Sequence, residues 1–571
     1  MFSNIKAVNI LTAILQAHGV RHAVLCPGSR NAPICHNLAA TGTIECHPIT
    51  DERSAGFYAI GLSQAHDQEP VAVCVTSGSA ILDVSPAVAE AYYQRTPLIV
   101  IAADRPAALI GQLDGQTMPQ AGALGSVVRR AVSLPEGETD EDLWYANRLV
   151  NEAMMDAMSG GRGPVLINVP LHEPLYQFDE AALPEQRKVT RIESSLPAGS
   201  DLLPRMVREA ERPMMVIGHT NEKIDASTLN GVAALMPVFA ESISSVGGSA
   251  LNECAYALRR SLVEDGDSYA PDLVIYAGGT LVGKETKAFF RGCEGCATIQ
   301  ISPDGELHDV FKNTTMVIRC SLGDALRNLS GKAEEGESPD DDGEKGKRRK
   351  EFTRRWAALE QSIRQTCQRP ATRFSQLQVV QRFAGQVSQV GNSSAVRLVC
   401  LAQRGHAFCN RGINGIDGSL STAAGYAAGQ PKDGHSLCVI GDLSFFYDQN
   451  GLWNKGVDGR LRILLLNNGG GGIFSRFEGL KKSPARSGIV MARHDTTAQG
   501  ICAQNHVEYR QARDMGEVEQ AISWLTEDYA DNTSKRARLL EVLTDIDEDA
   551  KALKEQYELI DKKTWQETGK P

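Results

Sequence analysis

Apolar residues recur along this chain in two rhythms. The opening MFSNIKAVNILTAILQAHGV puts Ile10, Leu11, Ile14 and Leu15 at helical spacing, which predicts an amphipathic helix. Short continuous apolar runs follow, each ending in small or charged residues: HAVLCPGSR, PVAVCVTSGSA, TPLIVIAADRP and GPVLINVP. Such runs, bounded by Gly, Pro and Ser, predict buried strands. Strands alternating with helical stretches predict an α/β fold with open, mostly parallel sheets flanked by helices. Ligands then gather beyond the carboxyl ends of the strands.

This series predicts a first domain over residues 1–185. PMMVIGH, DLVIYAGG, ATIQISPDG and MVIRCS predict a central α/β domain over 190–330. GKAEEGESPDDDGEKGKRRK has no apolar core positions and predicts a mobile polar linker or surface insertion over 331–351. A third α/β domain is expected over 352–571. It rests on EFTRRWAALEQSIRQTC, SSAVRLVCLA, HSLCVIGDLSFFYDQNGLWNKG and LRILLLNNGGGGIFSRF, followed by a charged, helix-prone tail.

Composition narrows the function classes. A chain of 571 residues fits several domains. A net charge of -11 excludes a global basic footprint for nucleic acid. No purely apolar run is long enough to span a bilayer, and the start lacks a signal-peptide pattern, so the cytoplasm is expected. Thirteen cysteines are scattered rather than arranged as a framework. Cys293 and Cys296 form CEGC without a matching second pair, which favours ordinary cysteines over metal or redox work. His406 and His435 read as structural or supporting residues, and no histidine has a nucleophile-elbow context.

The chemistry concentrates near the end. SLCVIGD is a strand ending at Gly441 and Asp442, and LRILLLNN is the next, ending at Asn467 and Asn468. Asp442 and Asn468 are 26 residues apart, a strand–helix–strand span that puts both at one sheet edge. A carboxylate oxygen, an amide oxygen and a carbonyl such as that of Gly470 suit Mg²⁺ held beside a diphosphate, with Mn²⁺ an alternative. A helix starting near Leu443 and Ser444 would aim amides at phosphate oxygens. The run Gly469–Gly472 allows close backbone approach. A plain GD turn and a glycine-rich turn are the structural alternative. Neither GxGxxG nor GxxxxGK[ST] is present there.

GDLSFFYDQNGLWNKG…LRILLLNN resembles the metal–diphosphate motif of thiamine-diphosphate enzymes, with Leu443 where that superfamily usually has glycine. Together with PGSRN, DERSAGFYAIG, TSGSA, ADRP, NRGINGIDG and NNGGGGIFS, it resembles one family over nearly the whole chain. That family is the 2-succinyl-5-enolpyruvyl-6-hydroxy-3-cyclohexene-1-carboxylate synthases of menaquinone or phylloquinone biosynthesis. The resemblance implies a three-domain thiamine-diphosphate-enzyme architecture: pyrimidine-binding, central and diphosphate-binding. It implies an active site shared between subunits, hence at least a homodimer and usually a homotetramer. It also implies decarboxylation of 2-oxoglutarate and 1,4-addition of the succinyl carbanion to isochorismate.

By this resemblance Glu52 contacts the cofactor aminopyrimidine and helps activate it, and Ile416 is the apolar wedge that bends the cofactor. Ser393, Leu443 and Ser444 lie near the diphosphate, with Asp442, Asn468 and Gly470 on the metal. Arg397 and Arg411 face the 2-oxoglutarate-derived arm. Ser29, Arg30, Arg105, Gln116 and Lys284 lie nearer isochorismate, while Ile473, Phe474 and Phe477 form an apolar wall that limits water. Each arginine also has a structural reading: Arg105 as a loop brace, Arg397 as a pair within a sheet. The chain departs from the family with NNGGGGIF for NNNGGQIF and PGSRN for PGSRS, and its polar linker is longer. The rival readings are another thiamine-diphosphate decarboxylase or carboligase, such as an acetolactate synthase, and a noncatalytic α/β ligand-binding protein.

Overall fold

The computed structural model describes residues 1–191, 196, 200–247, 257–258, 269–334, 343–402 and 405–567. Its described strands form three parallel sheets. The first contains β1 (His22–Leu25), β2 (Glu45–Pro48), β3 (Val71–Val75), β4 (Leu98–Asp104), β5 (Arg130–Ser133) and β6 (Val165–Pro170), in the order β2-β1-β3-β4-β6-β5. The second contains β7 (Pro213–Ile217), β8 (Val238–Ala240), β9 (Leu273–Ala277), β10 (Ala297–Ile301) and β11 (Thr314–Ile318), in the order β11-β10-β9-β7-β8. The third contains β12 (Val387–Val390), β13 (Phe408–Cys409), β14 (Ser436–Gly441), β15 (Leu461–Asn467), β16 (Glu508–Ala512) and β17 (Arg538–Leu543). Its order, β13-β12-β14-β15-β17-β16, repeats that of the first sheet strand for strand.

Central strands β3, β4 and β15 are buried throughout, because helices cover both faces; this is why they read as unbroken apolar runs. The predicted opening helix is Lys6–Ala17, and it buries Leu11, Ile14 and Leu15.

The first and third sheets share a core through two helices that occupy the same place in each, between the second and third strands. These are Glu52–Ala65 and Ser419–Ala428. They cross at glycines. A Cβ on Gly61 would lie 2.2 Å from the Thr422 carbonyl oxygen, and one on Gly425 would lie 2.1 Å from that of Tyr58. Only hydrogen at both positions lets the two backbones touch. Phe57, Ile60, Leu62, Leu420, Ala423 and Ala424 then pack into one apolar cluster with residues of both sheets.

Part of the expected polar linker is helix instead. The helix Leu322–Glu334 covers the start of that segment, and the helix Glu344–Cys367 begins within it. The basic run is held by neighbouring chain: Lys345 Nζ donates to the Glu209 carbonyl at 3.1 Å, and Arg349 donates to those of Val207, Arg208 and Ala210. These carbonyls end the helix Leu202–Glu209, where cations satisfy orphan acceptors. Phe352, Trp356, Leu359 and Ile363 anchor the long helix in the core. Residues 335–342, the most acidic part of that stretch, lie outside the described residues. SSAVRLVCLA is also a helix, Ser394–Ala402, so Arg397 is not a strand residue.

Among the described residues no helix is long and apolar enough to cross a membrane.

Candidate functional site

At the carboxyl edge of the third sheet, β14 stops at an extended Gly441 and the short helix Asp442–Tyr447 starts. Asp442 is only 4 % exposed. One carboxylate oxygen accepts from the Leu443 amide at 2.7 Å; the other accepts from the amides of Asn468 at 3.2 Å and Gly470 at 2.9 Å. Burial pushes its carboxyl above the ordinary range, against the pull of these amides and of His494, whose Nε2 lies 3.4 Å away. Asn468 leaves the end of β15, and its side-chain NH₂ donates to Asp549 at 2.8 Å, which leaves the amide oxygen for another partner. Gly470 holds φ +146, and a Cβ there would meet the Met491 carbonyl oxygen at 2.7 Å, so the turn that brings its amide onto Asp442 needs glycine. Asp442, Asn468 and Gly470 therefore converge. An anionic oxygen, an amide oxygen and nearby carbonyls form a hard donor set that fits Mg²⁺ or Mn²⁺.

The neighbouring residues gather around this edge. Ser444 is buried and its hydroxyl donates to the Ile416 carbonyl, tying the helix to the NGIDG loop. Ile416 is 38 % exposed, unusual for an isoleucine in a loop between buried elements. Ser393 sits at φ +68 just before the helix Ser394–Ala402, and Arg397 donates back to its carbonyl at 2.6 Å. Arg411 is buried, with one guanidinium nitrogen on Asn392 Oδ1 at 3.1 Å and a buried Nε that has no partner. Lys284 begins the helix Lys284–Arg291, and its Nζ stands 5.9 Å from the Phe477 ring centre. Phe474 and Phe477 face each other at 6.3 Å after the glycine run, and Ile473 is half-buried beside them.

A second group lines the carboxyl edge of the first sheet. Glu52 opens the helix Glu52–Ala65, after Asp51 caps it by accepting from the Ser54 amide at 3.1 Å. Burial raises the Glu52 carboxyl above its usual range, and Asp83 and Asp51 add to the effect. The loop after β1 carries an exposed Ser29 and a buried Arg30. Arg30 donates to the Leu171 carbonyl at 3.0 Å and pairs with Glu173 at 3.2 Å, so in this chain its charge is already engaged. Arg105 follows β4 with a buried Nε lacking a partner. Gln116, exposed at φ +56, lies against Gly78 of the loop after β3.

The two groups touch at their margins within one chain. Arg53, next to Glu52, donates to the carbonyl of Tyr447, the last residue of the helix that Asp442 begins. Asn450 in turn donates to Asp51. Among the described residues no hydrogen bond or ion pair joins Glu52 to Asp442, Asn468 or Gly470.

Several supports escaped the sequence reading. Asp549 holds Asn468 and also accepts from the Gln376 amide and the Thr544 hydroxyl. His494 faces Asp442 from a loop without regular pattern. Gln120 joins the Gly78 amide to the Ala103 carbonyl and Asn168. Glu90 accepts from the amides of Gly412 and Ile413, at 2.6 and 2.8 Å, and so fixes the loop that carries Arg411. In the sequence these are an acid in an acidic stretch, a lone histidine, a loop amide and a helical glutamate; only the fold gives them partners. The CEGC cysteines are buried in an apolar cluster, and burial pushes the Cys296 thiol up to about 12. His406 is half-buried, its pKa lowered by burial to about 4, and His435 pairs with Asp528.

Residues 5–124 match the family described as thiamine pyrophosphate enzyme, N-terminal TPP binding domain. Over the full length, the chain is similar to proteins named 2-succinyl-5-enolpyruvyl-6-hydroxy-3-cyclohexene-1-carboxylate synthase. That of Bacteroides fragilis is 40% identical over 98% of this chain and 99% of its own. That of Phocaeicola vulgatus is 38% identical over the same shares. That of Desulfotalea psychrophila is 36% identical over 86% of this chain and 91% of its own.

Proposed function

The chain belongs to the 2-succinyl-5-enolpyruvyl-6-hydroxy-3-cyclohexene-1-carboxylate synthase family of thiamine-diphosphate enzymes, and from that premise we propose that it joins the succinyl unit of 2-oxoglutarate to isochorismate. The carrying observation is the convergence of Asp442, Asn468 and Gly470 at one sheet edge. Asp442 and the Asn468 oxygen would hold Mg²⁺, and Ser393, Leu443 and Ser444 would lie near the cofactor diphosphate. When bound, thiamine diphosphate supplies the carbon nucleophile and electron sink for loss of CO₂ and transfer of the remaining fragment.

The protein orients, neutralises and shields. Glu52, whose carboxyl burial raises above its usual range, would contact the aminopyrimidine and help activate it. Ile416, exposed on its loop, would set an apolar side chain against the cofactor. Arg411 and Arg397 neutralise the carboxylates of the 2-oxo acid. Arg105, Lys284, Ser29, Gln116 and Arg30 receive the second polyanion, Arg30 by exchanging its bond to the exposed Glu173. Ile473, Phe474 and Phe477 keep water from the reacting carbon. The family resemblance implies that the complete site takes Glu52 from a second copy. The working unit is thus at least a homodimer, and we assign a tetramer acting in the cytoplasm.

The test follows CO₂ release and product mass in the assembled protein with thiamine diphosphate, Mg²⁺ and 2-oxoglutarate, with and without isochorismate. An isochorismate-dependent adduct that retains the four-carbon succinyl unit is expected. CO₂ release without that adduct would shift the assignment to a decarboxylase or to another acceptor.

A further inference from the structure

Away from both groups of site residues, parallel pairing of β1 and β2 puts three ligand-type side chains on one face. His22 is the register partner of Glu45, and His47 lies two residues along the same strand. Alternation along a strand therefore points Glu45 and His47 to the same side, and the register adds His22. The ring nitrogens His22 Nδ1 and His47 Nε2 are 3.3 Å apart. The Glu45 carboxylate has one oxygen 3.8 Å from His22 Nδ1 and the other 3.8 Å from His47 Nε2. Among the described residues this is the one group of three His, Cys, Asp or Glu side chains whose ligand atoms lie this close together.

We propose that His22, His47 and Glu45 form a divalent transition-metal site, with Zn²⁺ as its ion, distinct from the hard-oxygen site at Asp442.

The geometry suits that ion. With Zn–N bonds of about 2.05 Å, nitrogens separated by the observed 3.3 Å subtend about 107° at the metal, close to tetrahedral. The Glu45 side chain is 67% exposed, so rotation can bring an oxygen inward, while the histidine side chains are 11% and 10% exposed and fixed by packing. His22 stacks on His66 at 4.3 Å, and His47 leans on Tyr58 at 5.7 Å. A tetrahedral ion held by these three side chains would leave its fourth position to water. Nearby cations are already engaged: Arg460 is turned onto Asp458 and Arg21 pairs with Glu69. Burial lowers the pKa of both rings, that of His47 to about 4. Two imidazoles and one carboxylate are borderline ligands, which favour zinc over magnesium, whereas Asp442 and Asn468 offer oxygen alone.

The test uses full-length protein stripped of metal, then given thiamine diphosphate and excess Mg²⁺ to fill the oxygen site. It is titrated with Co²⁺ alone, followed by Zn²⁺. One saturable Co²⁺ per chain is expected in the micromolar range. It should show visible d–d absorption without thiolate charge transfer, be displaced by Zn²⁺, and raise the melting temperature. His22→Gln and His47→Gln each weaken binding at least tenfold. Glu45→Gln, at an exposed position that leaves folding intact, weakens it measurably. Absence of saturable binding, a thiolate charge-transfer band, or binding unchanged in Glu45→Gln and in the folded histidine variants would overturn the proposal.

Discussion

The side-chain amide of Asn468 donates to Asp549 across 2.8 Å, joining the end of β15 to the first turn of the last helix, Ile546–Glu567. This bond fixes which end of the amide faces the Asp442 side, because the NH₂ group is taken and the oxygen is left. Asp549→Ala should therefore let the amide turn. The expected effect is a rise of about 10–100-fold in the Mg²⁺ concentration needed for half activity, with kcat at saturating metal little changed. Activity titrated with Mg²⁺ at fixed thiamine diphosphate measures both.

Glu52→Gln keeps the shape of the helix start but removes the titrating proton. Turnover should fall by about 10²–10⁴-fold. Cofactor affinity, read by quenching of intrinsic fluorescence, should stay within a few-fold. A parallel loss of affinity would assign Glu52 to binding rather than to chemistry.

Arg411 has a buried Nε without a partner, and Asn392 already shares its other side. Arg411→Ala removes a cation from the proposed 2-oxo-acid pocket and should raise KM for 2-oxoglutarate by about tenfold or more. KM for isochorismate should move less. Steady-state kinetics with each substrate varied in turn separates the two.

Asp448 is fully buried, its carboxylate accepts from the amide and hydroxyl of Ser421, and its pKa is pushed up to about 7 by burial. The folded chain therefore holds a proton that the unfolded chain releases at ordinary carboxylate pH. Stability from this group is present at low pH and is lost as pH rises from about 4 through about 7. Asp448→Asn keeps an acceptor for the Ser421 amide and does not ionise. Its melting temperature should fall less than that of the parent protein across this range, and should exceed it at about pH 8.

The crossing of Glu52–Ala65 and Ser419–Ala428 tolerates no side chain at Gly61 or Gly425. Alanine at either should cost about 1–3 kcal/mol or more, because backbone carbonyls cannot give way. Thermal or urea unfolding reads the loss, and a matched change at exposed Gly122, where a Cβ meets nothing and φ is not positive, controls for handling.

Buried strands that end in reactive loops were legible in the sequence, since central parallel strands must be apolar on both faces and their loops carry the polar work. Val71–Val75, Leu98–Asp104 and Leu461–Asn467 are of this kind. Edge strands were not. β5 and β16 expose alternate residues and β13 is two residues long; the inner strand β17 was no easier, because it hides Arg538 and Glu541 among its apolar positions. The segment 344–350 looked like a solvated tether because its apolar anchors, Phe352 and Trp356, come later in the same helix. Within the site, Asp442 and Asn468 could be paired from spacing alone, because strand ends share an edge. Asp549, His494, Glu90 and Gln120 reach the site from distant stretches of chain, and no local pattern marks them.

The glycine crossing also bears on how the chain is made. The helix Glu52–Ala65 leaves the ribosome long before its mate, Ser419–Ala428, exists. At roughly 5–20 residues per second, the intervening stretch takes about 20–70 s to synthesise. For that interval the nascent first domain carries an uncovered apolar seam around Gly61, shaped for a strip of polypeptide not yet translated.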